Sequence, residues 1–178
     1  AIASNGRPGP VLIDIPKDVQ FANGIYSSKE QSIIPTHRLF EPQIKANEKN
    51  IEEATKLIAN AKKPIFYIGG GCINSGPEAS SLVTKFIEEV EAPATMTLMG
   101  LGVLSASNKY SLGMLGMHGM YEANMAMHDC DLLINIGARF DDRVTGRLDA
   151  FSPNSKKIHI DIDASNINKT IKVDIPIV

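Results

Sequence analysis

Two arginines and two aspartates follow a run of aliphatic residues in the segment GARFDDR, residues 137–143. Arginine stays charged at physiological pH, and its planar fork of N–H donors matches the oxygens of a phosphate or a carboxylate. Arg139 and Arg143 are therefore candidate anion-binding residues, with Asp141 and Asp142 to orient them. A solvated loop after a strand is the alternative interpretation. An acid–base pair of the two aspartates is disfavoured because adjacent side chains of an extended segment point apart.

Glycines form a second candidate segment. The sequence IGGGC places Gly69–Gly71 directly after an apolar run, where the backbone could approach a ligand and offer N–H groups to an anion. The dinucleotide fingerprint G-x-G-x-x-G is matched only in part, since position 74 is Asn. A tight turn between a strand and a helix, with no ligand, explains the glycines equally well.

The segment LGMLGMHG, residues 112–119, combines glycines with methionines. Methionine is polarisable and packs well against a planar ring, so a backbone lying against a flat ligand would explain both residue types. Core filling is the alternative. His118 and Glu122 could share a metal ion, but no third ligand stands at a useful spacing, and no metal site is expected.

Charged residues near two other apolar runs complete the candidates. In HIDID, residues 159–163, Asp161 is placed to hold ribose hydroxyls, as acids after a strand do in nucleotide sites, while Asp163 could cap a helix. Arg7 and Lys17 flank the first apolar run, where surface solvation is the simpler explanation. The sequence contains neither a G-x-S-x-G nucleophile motif nor a P-loop lysine motif.

The elements that must position these residues alternate between strands and helices. Short apolar runs predict strands, and apolar residues at three- and four-residue steps predict helices. Helices are expected at 48–62, 76–91 and 120–129, strands at 10–15, 65–68, 92–97, 131–136 and 157–162, a loop at 111–120, and a turn or short helix at 163–169. Ser75 is the expected N-cap of the second helix.

This alternation predicts an α/β fold, a Rossmann-like parallel sheet of about six strands with helices on both faces. Ligands of such sheets bind beyond the carboxyl ends of the strands. The segments 69–71, 97–102, 137–143 and 161–163 each follow a predicted strand, so we expect them to meet along one edge. Residues 16–47 are expected to form an extended connector.

The composition excludes several classes of function. The 178 residues carry a net charge of −2 with a pI near 6.1, so no basic excess is available for nucleic acid. No apolar run reaches the roughly 18 residues of a membrane helix, and no signal-peptide pattern is present. Cys72 and Cys130 stand apart, as buried cysteines do in a reduced, cytoplasmic protein. The chain opens without methionine and ends on the apolar DIPIV, which predicts a piece of a longer polypeptide.

Taken together, the motifs resemble one family. GRPGPVLIDIPKD, the GGG turn, MLGMHG with the later GARFDDRVTG, and HIDID with KTIKVDIPIV follow one another in that order. The same order is found in the large catalytic subunits of acetohydroxyacid synthase (acetolactate synthase), with the bacterial biosynthetic type the most similar. The resemblance runs from Gly6 to Val178, and the pair MLGMHG and GARFDDR is its most specific part.

The resemblance implies a three-domain enzyme that uses thiamine diphosphate and Mg²⁺. It joins two pyruvates, or pyruvate and 2-oxobutyrate, with loss of carbon dioxide, in branched-chain amino-acid biosynthesis. Residues 1–47 would be the end of a preceding domain and a connector, and 48–178 the central domain, which holds FAD in a largely structural role. The thiamine and metal sites would belong to other domains, so the isolated piece is predicted to be inactive. The implied assembly is a homo-oligomer with a small regulatory subunit.

Motif by motif, the resemblance assigns flavin contacts to Arg7, Gly69, Gly70, Gly71, Thr97, Leu98, Leu115, Gly116, Met117, His118, Gly137, Arg139, Val144, Asp161 and Ile162. Lys17, Met117, Asp142 and Arg143 would line the channel to the thiamine, with Arg143 holding the carboxylate of the second oxo-acid. Two alternatives remain open. One is the middle domain of another thiamine-diphosphate decarboxylase or oxidase that binds a different adenine nucleotide, and the other is a non-enzymatic interaction module.

Overall fold

The structure, a computed structural model, describes residues 3–4, 6–25 and 45–178. The chain divides into two compact units, Ala1–Gln43 and Ile44–Val178. The boundary predicted between residues 47 and 48, with a preceding domain on one side and a central domain on the other, stays a prediction.

The described residues of the first unit contain one regular element, the helix α1, Lys17–Phe21. The strand predicted at 10–15 was wrong, because these residues are exposed and belong to no strand. An apolar run makes a strand only where a neighbouring strand can take up its backbone N–H and C=O groups. The extended connector predicted from residue 16 instead begins with α1, and its residues 26–44 lie outside the described part.

The second unit contains a six-stranded sheet. Its strands are β1 (Pro64–Ile68), β2 (Ala94–Met96), β3 (Ser111–Met114), β4 (Leu132–Ile136), β5 (Lys156–Ile160) and β6 (Ile175–Ile177). All neighbours pair in parallel, in the spatial order β3-β2-β1-β4-β5-β6. The predicted parallel sheet of about six strands is confirmed.

Helices connect these strands. They are α2 (Glu48–Asn60), α3 (Gly70–Asn74), α4 (Pro77–Val90), α5 (Tyr121–Asp129) and α6 (Asp142–Thr145), with 3₁₀ turns at Leu98–Gly100, Leu148–Ala150 and Ala164–Asn166. No helix of the described residues is both long and apolar enough to cross a bilayer.

The central strands are apolar at successive positions because both faces of the sheet are covered. In β1, Phe66 and Ile68 lie in the core that α2 and α4 cover, whereas Ile65 and Tyr67 lie in the core that α5 covers. Successive side chains of a strand point to opposite faces, so a strand buried on both sides needs an apolar residue at nearly every position. This burial explains why such short runs of sequence were recognisable as strands.

The predicted N-cap at Ser75 was wrong. Gly76, at φ 94°, occupies the position before α4, and Pro77 begins the helix. The Ser75 hydroxyl instead donates a hydrogen bond to the Gly71 carbonyl oxygen at 2.9 Å. Ser75 therefore closes the short helix α3, which has no periodic signal in the sequence.

The loop predicted at 111–120 was wrong over its first four residues, which form the edge strand β3. Gly113 has φ 72°, and the register with β2 shifts between Ala94 and Met96. The Thr95 hydroxyl donates to the Gly113 carbonyl oxygen at 3.1 Å. A glycine lowers the strand signal in the sequence, but an irregular edge strand accommodates it.

Asp174 fastens β5 to β6 near their amino ends. Its carboxylate accepts hydrogen bonds from Lys156 Nζ at 2.8 Å and from the Lys157 N–H at 2.9 Å. Burial alone would raise the pKa of this carboxyl, but the two donors and the lysine charges hold its pKa below the ordinary value of 3.8.

Asp174→Asn is expected to weaken the fold at neutral pH and to flatten its response to acid. Because the folded-state pKa lies below the unfolded one, the carboxylate stabilises the fold above pH 3.8, and this contribution is lost as the pH falls through the folded-state pKa. The pair is partly exposed and screened, so the loss near neutral pH should be roughly 1 kcal/mol or less. Urea unfolding of both proteins near neutral pH and near pH ~3 measures it; an undiminished difference in acid would contradict the assignment.

Candidate functional site

The carboxyl ends of β1 and β4 mark the point at which the chain reverses direction along the sheet. From β1 the chain moves outward through β2 to β3, and it then builds β4, β5 and β6 on the other side of β1. In open α/β sheets a crevice forms at such a switch point, and ligands bind there. Gly69 follows β1 directly and Gly137 follows β4, so the two sequence-predicted segments that begin with them lie at this point.

Glycines pack the two strand ends tightly together at the switch point. Gly69 N–H donates to the Ile136 oxygen at 2.8 Å, and Gly71 N–H donates to the Gly137 oxygen at 3.1 Å. A Cβ on Gly69 would overlap the Gly137 carbonyl and lie 2.5 Å from the Ala138 Cα. Backbone packing by itself therefore requires Gly69, which supports the tight-turn interpretation of this segment.

The end of β2 joins the same junction. Thr97 N–H donates to the Ile68 oxygen at 2.9 Å, and the Thr97 hydroxyl accepts from Gly100 N–H at 3.0 Å. A Cβ on Gly70 would lie 2.9 Å from the Met99 Cβ, and one on Gly100 would overlap the Ile68 carbonyl. The predicted convergence of these segments along one edge is thus present in the backbone contacts.

The two most specific sequence motifs also meet. Met117 N–H donates to the Arg143 oxygen at 2.9 Å, and a Cβ on Gly116, at φ 102°, would lie 2.8 Å from the same oxygen. Two strands separate β3 from β4 in the sheet, so the segment after β3 bridges the ends of β2 and β1 to reach this loop. Its path begins at Leu115, whose N–H donates to the Met96 oxygen at 3.4 Å.

Asp141 organises the charged loop after β4. Its carboxylate accepts from the Arg143 N–H at 3.2 Å, at the start of α6, and pairs with Arg139 Nη2 at 2.7 Å. The Arg143 N–H contributes most to lowering the pKa of Asp141, and the charges of Arg139 and Arg143 lower this pKa further. Asp141 therefore orients Arg139 and caps the short helix that carries Arg143, while Asp142 is exposed.

Phe140 anchors this loop to the core. It is 2% exposed and has φ 56°, a conformation that costs energy for a residue with a Cβ. Its ring lies 5.1 Å from the His159 ring, 5.8 Å from Tyr67 and 5.9 Å from Phe151, centroid to centroid. With Phe140 turned inward, the flanking Arg139 remains exposed.

Exposed side chains along this edge combine apolar and cationic groups. The structure leaves seven of the sequence-predicted residues of the second unit exposed: Leu98, Met117, His118, Ile162, Arg139, Asp142 and Arg143. Seven more are half-buried: Gly70, Gly71, Thr97, Gly116, Gly137, Val144 and Asp161. Gly69 and Leu115 are buried. Arginine forks suit a phosphate or carboxylate, and methionine and leucine suit a flat ring. The set fits a ligand that joins an anionic group to a planar ring system. No cluster of three potential metal ligands occurs among residues 3–4, 6–25 and 45–178.

Asp161 uses its carboxylate within the protein. Its oxygens accept from Asp163 N–H at 2.8 Å and from the Asn166 amide at 3.2 Å, and one lies 3.6 Å from His159 Nε2. Burial would raise the pKa of this carboxyl, but these donors hold its pKa below the ordinary value. Asp163 caps the following 3₁₀ turn by accepting from Ser165 N–H at 3.0 Å, so the predicted cap is confirmed.

Arg7 and Lys17 lie in the first unit, and the contacts above do not include them. Arg7 is exposed, and Lys17 begins α1, with its Nζ 5.8 Å from the centroid of the Phe21 ring.

Sequence reasoning missed two asparagines that hold the site segments. Asn124 bonds to both main-chain polar groups of Gly116, and Asn135 bonds to both main-chain polar groups of Ala138. Asn135 interrupts the apolar sequence LLINI, which was the only available signal.

Comparison with known proteins gives a family match and several similar sequences. A family model described as "Thiamine pyrophosphate enzyme, central domain" matches residues 51–178. The chain is 46% identical over 177 residues to the acetolactate synthase large subunit of Haemophilus influenzae, with 99% of this chain and 30% of that protein covered.

Two further relatives give similar values. Identity is 45% over 168 residues with the acetolactate synthase isozyme 2 large subunit of Escherichia coli, covering 94% of this chain and 29% of the relative. It is 44% over 168 residues with the chloroplastic acetolactate synthase of Arabidopsis thaliana, covering 94% and 24%. The chain thus spans less than a third of the length of these relatives.

Proposed function

The chain belongs to the thiamine pyrophosphate enzymes as a central domain of that family, and from this premise we propose that it is the flavin-binding central domain of an acetolactate synthase large subunit. The observation that carries the proposal is the hydrogen bond of 2.9 Å from Met117 N–H to the Arg143 oxygen. It joins the two most specific motifs, MLGMHG and GARFDDR, at the switch point. The similarity to acetolactate synthase large subunits over 99% of this chain supports the same assignment.

FAD is the ligand whose chemistry suits this edge. The arginine fork of Arg139, oriented by Asp141 at 2.7 Å, would hold the diphosphate. Exposed Leu98 and Met117 would contact the planar ring, and His118 follows directly in the segment tied to Arg143. The other proposed flavin contacts are Arg7, Gly69, Gly70, Gly71, Thr97, Leu115, Gly116, Gly137, Val144, Asp161 and Ile162. Leu115 and Gly69 are buried, so their main-chain atoms would make the contacts with the flavin. The carboxylate of Asp161 is hydrogen-bonded within the protein, so Asp161 would also contact the flavin through its main chain.

The substrate side of the same loop would be formed by Asp142 and Arg143, with Met117. Lys17, in the first unit, is proposed as a further channel residue from the family resemblance alone. Arg143 is exposed and its main chain is fixed by the Met117 N–H and by the cap of α6, which leaves its guanidinium to hold the carboxylate of the second oxo-acid. Thiamine diphosphate, held with Mg²⁺ by other domains of the full-length enzyme, would supply the electron sink for decarboxylation. The reaction is the condensation of two pyruvates, or of pyruvate and 2-oxobutyrate, in branched-chain amino-acid biosynthesis.

The same proposal extends to assembly and location. A homo-oligomer of large subunits with a small regulatory subunit, in the cytoplasm, is the setting in which this domain would act. The division into a preceding segment, 1–47, and a central domain, 48–178, is part of the proposal.

Titration of FAD into the purified protein tests the assignment. Saturable binding, followed by flavin fluorescence, is expected, and Arg139→Ala should weaken it roughly tenfold or more, since a lost charge-assisted hydrogen bond costs about 1.5–3 kcal/mol. Arg147→Ala is the matched control: Arg147 also pairs with an aspartate two residues on, at 2.8 Å, but on an exposed turn after α6.

Competition with ADP and coenzyme A separates the alternatives. Tight ADP binding without FAD binding would instead support a middle domain of another thiamine-dependent enzyme. Equal losses in Arg139→Ala and Arg147→Ala would contradict the placement of the diphosphate at the loop after β4.

A further inference from the structure

Asn124 fixes the segment after β3 through hydrogen bonds to the main chain of a single residue, Gly116. It lies in α5, and its side-chain oxygen accepts from Gly116 N–H at 2.8 Å while its amide nitrogen donates to the Gly116 oxygen at 3.1 Å. Both polar groups of the side chain are thus used on the main chain of one glycine. The exposed residues Met117 and His118 follow that glycine directly.

Asn135 holds the loop after β4 in the same way. Its side-chain oxygen accepts from Ala138 N–H at 3.1 Å, and its amide nitrogen donates to the Ala138 oxygen at 2.9 Å. His159 Nε2 reaches the same oxygen at 2.9 Å from the neighbouring strand β5. The exposed Arg139 follows Ala138 directly.

Asn135 is a buried polar residue in an otherwise apolar strand, so its side chain needs hydrogen-bond partners inside the protein. It is 0% exposed and is the next-to-last residue of the parallel strand β4, where an apolar residue packs without desolvating a polar group. A buried amide is tolerated there only if both of its polar atoms are bonded. The two bonds to Ala138 satisfy this requirement and also fix the first peptide groups of the charged loop.

We call the paired bonds of Asn124 to Gly116 and of Asn135 to Ala138 the two clamps. The segments that they hold are joined by the hydrogen bond from Met117 N–H to the Arg143 oxygen. One asparagine acts just before Met117, and the other acts at the start of the loop that carries Arg143. Loosening either segment should therefore weaken this bond as well.

We propose that Asn124 and Asn135 are positioning residues for the site, because each fixes one main-chain residue and so presents the exposed side chains that follow it. This inference rests on the proposed function for its ligand, FAD, but the geometry it concerns is that of the ligand-free protein. Neither asparagine is assigned a contact with the flavin or with the oxo-acid.

Amide hydrogen exchange of the ligand-free protein tests the clamps directly. Asn135→Leu should speed exchange of the Ala138 amide, and Asn124→Leu that of the Gly116 amide, by about tenfold or more, because each amide loses its acceptor. Both variants should also speed exchange of the Met117 amide. Each leucine variant should weaken FAD binding by roughly tenfold in the fluorescence titration, because the apparent affinity falls with the fraction of molecules whose loop is correctly placed.

Asn50→Leu is the control. The Asn50 amide donates to the Pro176 oxygen at 2.7 Å, so the substitution also removes a bond from a side chain to the main chain, but at the contact of α2 with β6. It should lower stability to a similar degree while leaving exchange at Gly116, Met117 and Ala138, and FAD affinity, within about twofold of wild type.

Two features keep the test decisive if Asn135→Leu does not fold. Asn124 is half-buried and lines a cavity of about 170 Å³, which leaves room for leucine at that position. Asn135→Asp is the conservative rescue: burial favours the protonated acid, which offers one acceptor and one O–H donor as the amide does. It should keep the Ala138 amide protected.

Unchanged exchange at Gly116 and Ala138 in the leucine variants would overturn the proposal. Wild-type FAD affinity despite faster exchange would overturn it too, since the clamps would then be structural only. If the wild-type protein binds no FAD, the proposed function fails, while amide exchange at Gly116, Ala138 and Met117 still decides whether the two asparagines fix these main-chain segments.

Discussion

Gly69→Ala is expected to destabilise the fold by about 3 kcal/mol or more, at the upper end of the cost of overpacking. The added methyl group would overlap the Gly137 carbonyl and lie 2.5 Å from the Ala138 Cα. Both contacts are main-chain atoms of the adjacent strand end, so no side chain can rotate away. Relief requires β1 and β4 to separate at their carboxyl ends, which breaks the bond from Gly69 N–H to the Ile136 oxygen.

Urea unfolding at constant pH measures this effect, with Gly102→Ala as the matched control. Gly69 has an ordinary φ of −107°, so its substitution tests crowding alone. Gly102 has φ 101° and no atom within 4 Å of a built Cβ, so its substitution tests backbone strain alone, at about 1–2 kcal/mol. A cost for Gly69→Ala no larger than that for Gly102→Ala would show that the strand ends yield more easily than their contacts indicate.

The packed strands were the part of the fold that could be predicted from sequence. The apolar runs PIFYI and LLINI are buried on both faces, so their composition alone separates them from the surrounding helices. The convergence of the glycine turn with the charged loop also followed, because parallel strands bring their carboxyl ends to one edge.

The remaining elements depend on contacts that a local pattern does not contain. The strand at Ser111–Met114 exists because β2 accepts it at the edge of the sheet, despite Gly113. Conversely, the apolar run at 10–15 pairs with no strand in the described part of the chain and forms none there. In both cases tertiary pairing outweighs the propensity of the segment.

Within the candidate site, the charged residues could be predicted from the sequence, but the residues that position them could not. Arg139 and Arg143 were identifiable because charge directly after a buried strand is informative. Asn124 and Asn135 act through the main chain of residues eight positions before and three positions after them, and an isolated asparagine carries no signature of such a bond. The glycine turn allowed two interpretations from sequence, a ligand contact or a tight turn. The close packing of Gly69 against Gly137 and Ala138 supports the tight turn, and contact with a ligand stays a prediction.

Phe140 connects the stability of the core to the geometry of the site. Its ring is buried among Tyr67, Phe151 and His159, while its own backbone is held at φ 56° between Arg139 and Asp141. Burial of the ring therefore offsets the strain of a left-handed residue and keeps its charged neighbours at the surface. Removing the Phe140 ring should therefore both destabilise the core and displace the charged loop.

Phe140→Ala is expected to cost about 3–5 kcal/mol, as for other fully buried aromatic side chains, and to weaken FAD binding as the loop loses its anchor. Phe140→Gly leaves the same cavity but removes the penalty of a Cβ at positive φ, so it should be more stable than the alanine variant by up to about 1 kcal/mol. Urea unfolding of both variants, beside Phe140→Leu as a smaller change in volume, measures the two contributions separately. A glycine variant less stable than the alanine variant would mean that the left-handed backbone is not strained. Equal FAD affinity in all three variants would mean that the buried ring stabilises the core without positioning Arg139.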